Sequence, residues 1–331
     1  MPKWRVCGWY GHGNAGDESY KIVFPKLFPG HAISFWDDAP IDGHDLFVLG
    51  GGDVLTEPML DLASNAREPR VAMSVSATTC QNPRHVGELF REVWARDQSS
   101  RGQLCDAGVD ARLVPDFAFA MDPNPESGRR HLRKLFSEAG HELYSNTVAV
   151  VVNGHLAVKE GCLARDESWF VSFAHLFGWV ADRLNASFVF VPFGTSAPWD
   201  DRVPNAWVSS RAKFWKKNCV VYEKMSPQET LDLISACDAA VTTRLHAAIF
   251  CVLGGVPFID LAHHDKTTNY LATVGLSDCT TPYWEVSKSF LLGQLEAYLA
   301  NRDAARERLL GVGAAQRRQL FEACNGFVIP S

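Results

Sequence analysis

The stretch Thr242-Thr243-Arg244-Leu245-His246-Ala247-Ala248-Ile249-Phe250 constrains this chain more than any other. Apolar Ala239, Ala240 and Val241 lead into it as a strand, and an apolar run from Leu245 to Leu253 follows as a helix stopped by Gly254-Gly255. A helix apolar nearly all round is buried, so its first turn is held rigidly at the strand end. The first backbone N–H groups of a helix are unpaired and its dipole is positive there, which favours an anion. Arg244 adds a permanent charge and a planar fork of donors suited to carboxylate or phosphate. His246 stands in the same turn, a placement that suits a group giving a proton away. The competing reading pairs Arg244 with a buried carboxylate and makes His246 a hydrogen-bonded core histidine.

The pattern around that stretch is α/β. Trp4 to Gly8 reads as a strand, followed by Gly11-His12-Gly13-Asn14-Ala15-Gly16-Asp17-Glu18 and a helix to about Leu27. Gly11, Gly13 and Gly16 fit G-x-G-x-x-G, and Asp37 closes the next strand-like run, so spacing alone matches a dinucleotide fingerprint. Any loop that brings backbone close to a ligand uses the same glycines, and the match decides little. Leu46 to Leu49 is a short buried strand running into Gly50-Gly51-Gly52-Asp53, either a tight turn or a backbone nest for an anion or sugar hydroxyl. A strand at Val71 to Val75, a helix from Pro83 to Trp94, a shorter helix opened by Arg96-Asp97-Gln98-Ser99 and a strand at Ala111 to Val114 complete this half. Strands and helices in alternation imply a parallel sheet covered on both faces.

Residues 122–146, with Pro123, Pro125 and Gly128 before a charged helical segment, read as the connection between a unit at 1–121 and a second at 147–331. The second half restarts the alternation at Val148 to Val152, which ends in Asn153-Gly154-His155. A helix from Ser168 to Leu184, a strand at Ser187 to Val191 and the turn Pro192-Phe193-Gly194-Thr195 follow. Ser226-Pro227-Gln228-Glu229 is a capping box with Pro at the first helical position, and it leads to the Arg244 strand. Beyond Pro257 to Leu261 come His263-His264-Asp265-Lys266 and another helix. The next strand end would bring Lys266 to the same cleft as Arg244, against the plainer reading of a solvated lysine. Adjacent histidines diverge, so His263 and His264 make no metal site and none is expected. The last segment, Val286 to about Ala323, reads as two amphipathic helices.

A chain of 331 residues suits two domains. A net charge of −6 argues against general nucleic-acid binding. Nine scattered cysteines without a C-x-x-C pair read as reduced core residues of a cytoplasmic protein. No run of 18 apolar residues predicts a membrane span, and peripheral attachment stays open.

These residues together resemble the polysaccharide pyruvyl transferase family. The resemblance rests on Gly11-x-Gly13-Asn14-x-Gly16-Asp17-Glu18, the Gly50-Gly51-Gly52 turn, Arg96-Asp97-x-Ser99, Val114-Pro115-Asp116, Arg244-x-His246-Ala247, Gly255-Val256-Pro257 and Asp265-Lys266. The chain departs from the pattern at Asp53 and at His263-His264. The resemblance implies two Rossmann-like α/β domains facing across a cleft, the GT-B-like architecture, with the acceptor on the first and the donor on the second. It implies transfer of the pyruvyl unit of phosphoenolpyruvate onto sugar hydroxyls as a ketal, with no further cofactor. In that reading His246 is the general acid, Arg244 holds the anionic donor and Asp17 orients or deprotonates the acceptor. Donor contacts are then expected at Lys266, Thr243, Asn153, His155 and Gly194. Acceptor contacts are expected at Gly13, Asn14, Gly16, Gly51, Gly52 and Asp53. The same cleft would serve a GT-B glycosyltransferase using a nucleotide sugar, on a glycan or on an acceptor such as a hydroxylated nucleobase. A third reading is a sugar- or nucleotide-binding module without catalysis. Trp199 and Trp207 are aromatic side chains able to stack on a sugar face or simply to pack.

Overall fold

A computed structural model describes residues 1–36, 43–153, 163–197, 200–210, 215–262 and 264–330, with 163–172 described as backbone alone. The first unit runs β1 (Lys3–Cys7), α1 (Ala15–Leu27), β2 (Ala32–Phe35), β3 (Leu46–Gly52), α2 (Glu57–Ser64), β4 (Arg70–Val75), α3 (Pro83–Leu89), β5 (Glu92–Ala95), α4 (Gln98–Asp106) and β6 (Ala111–Leu113). After α5 (Pro125–Glu138), the second runs β7 (Thr147–Val151), α6 (Leu163–Arg183), β8 (Ser187–Phe190), α7 (Arg202–Ser209), β9 (Asn218–Val220), α8 (Pro227–Ser235), β10 (Ala239–Thr242), α9 (Leu245–Gly254), β11 (Phe258–Ala262), α10 (Asp265–Thr273) and β12 (Thr280–Pro282). Two helices close the chain, α11 (Lys288–Ala300) and α12 (Arg302–Asn325).

Both sheets are six-stranded and parallel. Their orders are β2-β1-β3-β4-β5-β6 and β12-β11-β10-β7-β8-β9. Every residue of β3 and of β7 is buried, as continuous apolar runs covered on both faces require. The strand order reverses between β1 and β3 in one sheet and between β7 and β10 in the other. In open α/β sheets the crevice outside the carboxyl ends of the strands at such a point is where ligands bind.

Local signals explain several boundaries. Ser226 and Glu229 make both hydrogen bonds of the capping box that opens α8. The helix expected over Pro83–Trp94 ends at Leu89 instead. Phe90 turns extended, the Arg91 N–H donates to the Arg70 carbonyl at 2.8 Å, and Glu92–Ala95 joins the sheet between β4 and β6. Val93, Trp94 and Ala95 are buried there, so pairing on both edges overrides the helical reading. The short elements α2 and β12 carry too few periodic positions to be read in advance.

The two units do not merely abut. One apolar cluster runs through both, joining Phe24, Trp94 and Phe117 of the first to Ile249, Phe250 and Leu320 of the second. Helix α5 packs on α8 so closely that a Cβ at Gly128 would sit 1.9 Å from the Asp232 carbonyl oxygen. Beyond α12, Phe327 returns to the first unit, its ring centroid 5.6 Å from Trp4 and 5.5 Å from Trp94. Among the described residues no helix is long and apolar enough to cross a membrane.

Candidate functional site

The two reversal points face one another across a cleft, and the residues at the strand ends build its walls. On the second unit the Thr243 N–H donates to the Val151 carbonyl at 3.0 Å, and the Asn153 N–H donates to Thr243 Oγ1 at 2.9 Å. These bonds tie the ends of β7 and β10 together just below Arg244, the extended residue that precedes α9. Arg244 donates from Nη2 to Asp201 Oδ1 at 2.6 Å. Asp201 is fully buried, and its other oxygen accepts from the Phe193 and Gly194 N–H groups at 3.0 and 2.8 Å. Arg244 therefore does pair with a buried carboxylate, yet its side chain also lines a cavity of about 430 Å³. Anchoring on Asp201 restrains the guanidinium at the wall of the cavity.

His246 reaches from the first turn of α9 into the first unit. Its ring packs on the backbone of Gly16, where a Cβ would lie 2.2 Å from Nδ1. It meets the Tyr20 ring edge-on with centroids 5.8 Å apart. Nε2 is buried without a hydrogen bond and lies 3.6 Å from Asp116 Oδ2, the geometry of a loose ion pair. Nε2 thus faces the carboxylate, while Nδ1 lies over Gly16.

Asp116 is completely buried, and its Oδ2 also accepts from Tyr20 Oη at 2.9 Å and Arg96 Nη1 at 3.0 Å. Oδ1 accepts from the Ala118 N–H at 2.9 Å. Burial alone would raise its pKa, but His246, Arg96 and the Ala118 bond together hold it well below the usual carboxylate range. A break in the β4–β5 register, with Ser74 at φ 56°, aims Ser74 Oγ at this cluster. It lies 3.2 Å from Tyr20 Oη and accepts from the Phe117 N–H at 3.1 Å.

Asp17, in the first turn of α1, lines the cavity from the opposite wall. Burial pushes its carboxyl above the ordinary range, and His246, Lys266, Arg96 and Arg244 offset only part of that. Lys266 Nζ lies 4.0 Å from Asp53 Oδ2, and Thr79 Oγ1 donates to Asp53 Oδ1 at 3.1 Å. Burial and then Arg96 lower the Lys266 pKa, with Asp53 and Asp17 acting against them.

His246, Arg244, Asp17, Lys266, Thr243, Asn153, Asn14, Gly52 and Asp53 thus surround one cavity. Gly194 lines an adjoining cavity of about 490 Å³. His155 and His263 lie outside the described residues, as do Asp37 and Trp199. Three glycines expected at the acceptor do not line either cavity. Gly13, at φ +67°, lies under Thr195 and Ser196, Gly16 under His246, and Gly51, at φ +81°, under the Tyr20 ring. The glycine-rich loop is spent on joining the units: the Ala15 N–H donates to the Phe193 carbonyl at 2.8 Å and the Thr195 N–H to the Gly13 carbonyl at 3.1 Å. At Gly13 and Gly16 the missing Cβ makes room for side chains of the second unit, Thr195, Ser196 and His246.

Sequence reasoning did not place Arg96, Asp116, Tyr20, Asp201 or Trp9 in the site. Arg96 and Asp116 had a signal in the short pieces Arg96-Asp97-x-Ser99 and Val114-Pro115-Asp116. Asp201 and Tyr20 had none, because their role depends on contacts far away in the chain. Trp207 packs against the core of the second unit. Among the described residues no cluster of three His, Cys, Asp or Glu side chains could hold a metal ion.

Two parallel α/β units meeting at a shared cleft define a GT-B-like protein, and solved structures show the same fold. UDP-GlcNAc 2-epimerase from Neisseria meningitidis, in a structure bound to UDP-GlcNAc, superposes with a TM-score of 0.57 at 10% identity over 98% of both chains. UDP-GlcNAc 2-epimerase from Methanocaldococcus jannaschii gives 0.56 at 11% identity over 90% of this chain and 93% of that one. A ugt transferase from Siraitia grosvenorii, in complex with UDP, gives 0.54 at 10% identity over 98% of both. No curated protein matches the sequence. The family model Polysaccharide pyruvyl transferase matches residues 11–265, and the chain belongs to that family.

Proposed function

We propose that the protein transfers the pyruvyl unit of phosphoenolpyruvate onto hydroxyls of a sugar or glycan, forming a ketal and releasing phosphate. The observation that carries this reading is the convergence of His246, Arg244 and Lys266 with Asp17 on a single cavity. An enol phosphate presents a carboxylate and a phosphate on a three-carbon frame. The Arg244 guanidinium, Lys266 and the start of α9 supply positive charge for these two anions. Proton transfer from the His246 imidazole to the methylene carbon makes the methyl group and leaves positive charge at the neighbouring carbon. An acceptor hydroxyl attacks that carbon and gives up its proton to Asp17, whose raised pKa makes it a better base. Loss of phosphate and attack by a second hydroxyl of the same acceptor complete the ketal, so the products balance as ketal plus inorganic phosphate. The anchored guanidinium and buried helix start act without reorganising, the condition under which electrostatic stabilisation is strongest.

The test is a donor screen on the purified protein with short glycans and modified nucleosides as acceptors, scored by released phosphate against released nucleoside diphosphate. Phosphate release from phosphoenolpyruvate that depends on a glycan is expected. UDP release from UDP-sugars would replace the reading with glycosyl transfer, and saturable binding with no release would make the protein a binding module. Thermal stabilisation ranks the donors independently, since a ligand at 100 times its dissociation constant adds about 2.7 kcal/mol.

A further inference from the structure

We infer that Trp9 forms the acceptor platform: a pyranose ring of the glycan lies on its indole, at the junction of the two adjoining cavities. The inference rests on the pyruvyl-transfer reading for the identity of the acceptor, and its own evidence is geometric. Trp9 lies two residues beyond the end of β1, at the reversal point of the first sheet, where the fold opens its crevice. It remains 45% exposed although it lines both cavities, the larger of them about 490 Å³. The indole is not loose: His12 stacks on it with ring centroids 4.0 Å apart and planes 18° from parallel. One face is thus covered and the ring orientation set in advance, which reduces the ordering cost of binding.

The chemistry around Trp9 divides in a way that fits a donor and an acceptor. Asp17, Arg96 and His246 line only the first cavity, with Arg244 and Lys266 at the boundary between the two. Thr56 and Thr267 line only the first as well, whereas Thr78, Thr79 and Ser196 line only the second, which lacks Asp17, Arg96 and His246. Neutral hydroxyls beside an exposed aromatic suit a polyol: the hydroxyls exchange hydrogen bonds with sugar hydroxyls, and the indole covers the C–H face of the ring. A compact dianion gains nothing from that second wall. Asp53, held by Thr79 at the boundary, is placed to accept from a sugar hydroxyl on its way to the reacting carbon.

The test measures Trp9→Ala and Trp9→Phe beside the parent protein, using di- and trisaccharides of galactose, glucose and N-acetylglucosamine. Loss of a stacked aromatic contact worth about 1–1.5 kcal/mol corresponds to about a tenfold change. Trp9→Ala should raise the acceptor KM about tenfold with the KM for phosphoenolpyruvate within twofold of the parent, and Trp9→Phe should recover most of the difference. An acceptor KM within twofold in Trp9→Ala, or equal increases in both KM values, would overturn the platform. If no donor releases phosphate, calorimetric titration of the same saccharides decides separately. Binding weakened about tenfold in Trp9→Ala supports the platform even as the donor reading fails, whereas unchanged or absent saccharide binding overturns it.

Discussion

Nε2 of His246 lies 3.6 Å from Oδ2 of Asp116, an imidazole from the second unit facing a carboxylate from the first. The carboxylate cannot move toward another partner, because Tyr20, Arg96 and the Ala118 backbone already hold it. The pair is therefore a link between the two units that restrains the imidazole. Packing of the ring on Gly16 fixes its plane.

Asp116→Asn keeps the shape of the cluster and removes its charge. In the proposed reaction kcat should fall about tenfold or more, a part of the roughly 10²–10⁴ that general acid catalysis supplies, with the KM for phosphoenolpyruvate moved less than about threefold. His246→Ala should lose about 10²-fold or more. Steady-state phosphate release for the two variants checks both, and a His246→Ala enzyme within threefold of the parent would remove His246 from the acid role. Asp116→Ala should unfold more readily, because leaving Arg96 buried without its partner costs about 3–5 kcal/mol.

Arg244 is held by Asp201 on one edge of its guanidinium, and a lysine retains the charge without the fork. Arg244→Lys should raise the KM for phosphoenolpyruvate about tenfold, equivalent to about 1.4 kcal/mol of lost anion binding. Asp201→Asn should raise it by a smaller factor, since the guanidinium remains but its anchor weakens. Equal KM values in all three proteins would show that Arg244 serves only the packing of the 193–194 turn.

How much of this was legible in the sequence follows from the range of each interaction. The strand ending at Thr242 and the buried α9 are local patterns, so Arg244 and His246 could be placed at a helix start from the residues alone. The capping box at Ser226 is equally local. Asp116 was visible only as the end of Val114-Pro115-Asp116, since nothing near it in sequence states that its partner is His246. Gly13 and Gly16 announce a close approach without showing what approaches, and in the fold their neighbours are Thr195, Ser196 and the His246 ring. The helix at 83–94 was misread because Glu92-Val93-Trp94-Ala95 has no strand signal apart from the two neighbours that pair with it.

Gly16 makes the interlobe contact testable by sterics alone. A methyl group there would lie 2.2 Å from His246 Nδ1 and 2.4 Å from its Cγ, so the ring must leave its position. Gly16→Ala should destabilise by about 1–3 kcal/mol, the usual cost of overpacking, and should lower phosphate release about tenfold or more. Gly102, inside α4, has nothing within 4 Å of an added Cβ, so Gly102→Ala should gain up to about 1 kcal/mol from helix propensity and leave catalysis unaltered. Thermal melts and phosphate release on the two variants separate a specific collision from a general effect of adding a methyl group.

Asp260, on the strand next to the β12 edge of the second sheet, gives the fold a stability term that depends on pH. Its side chain is fully buried on β11, with Thr280 Oγ1 donating to Oδ2 at 3.0 Å and Oδ1 without a hydrogen bond. Burial pushes the carboxyl up to about 7 from 3.8, against a smaller opposing effect of the Thr280 bond. Between those two values the unfolded chain releases a proton that the folded chain retains. Rising pH therefore favours unfolding across this window, and the penalty is complete above about pH 7. Asp260→Asn removes the ionisation while preserving the size and one hydrogen bond. Its stability advantage over the parent should be small near pH 4, grow through pH 5–7 and level off above, reaching a few kcal/mol at about 1.4 kcal/mol per pKa unit. Denaturant melts of both proteins at pH 4.5, 6 and 8 measure the difference directly, and an advantage independent of pH would show that Asp260 is ionised in the folded chain throughout.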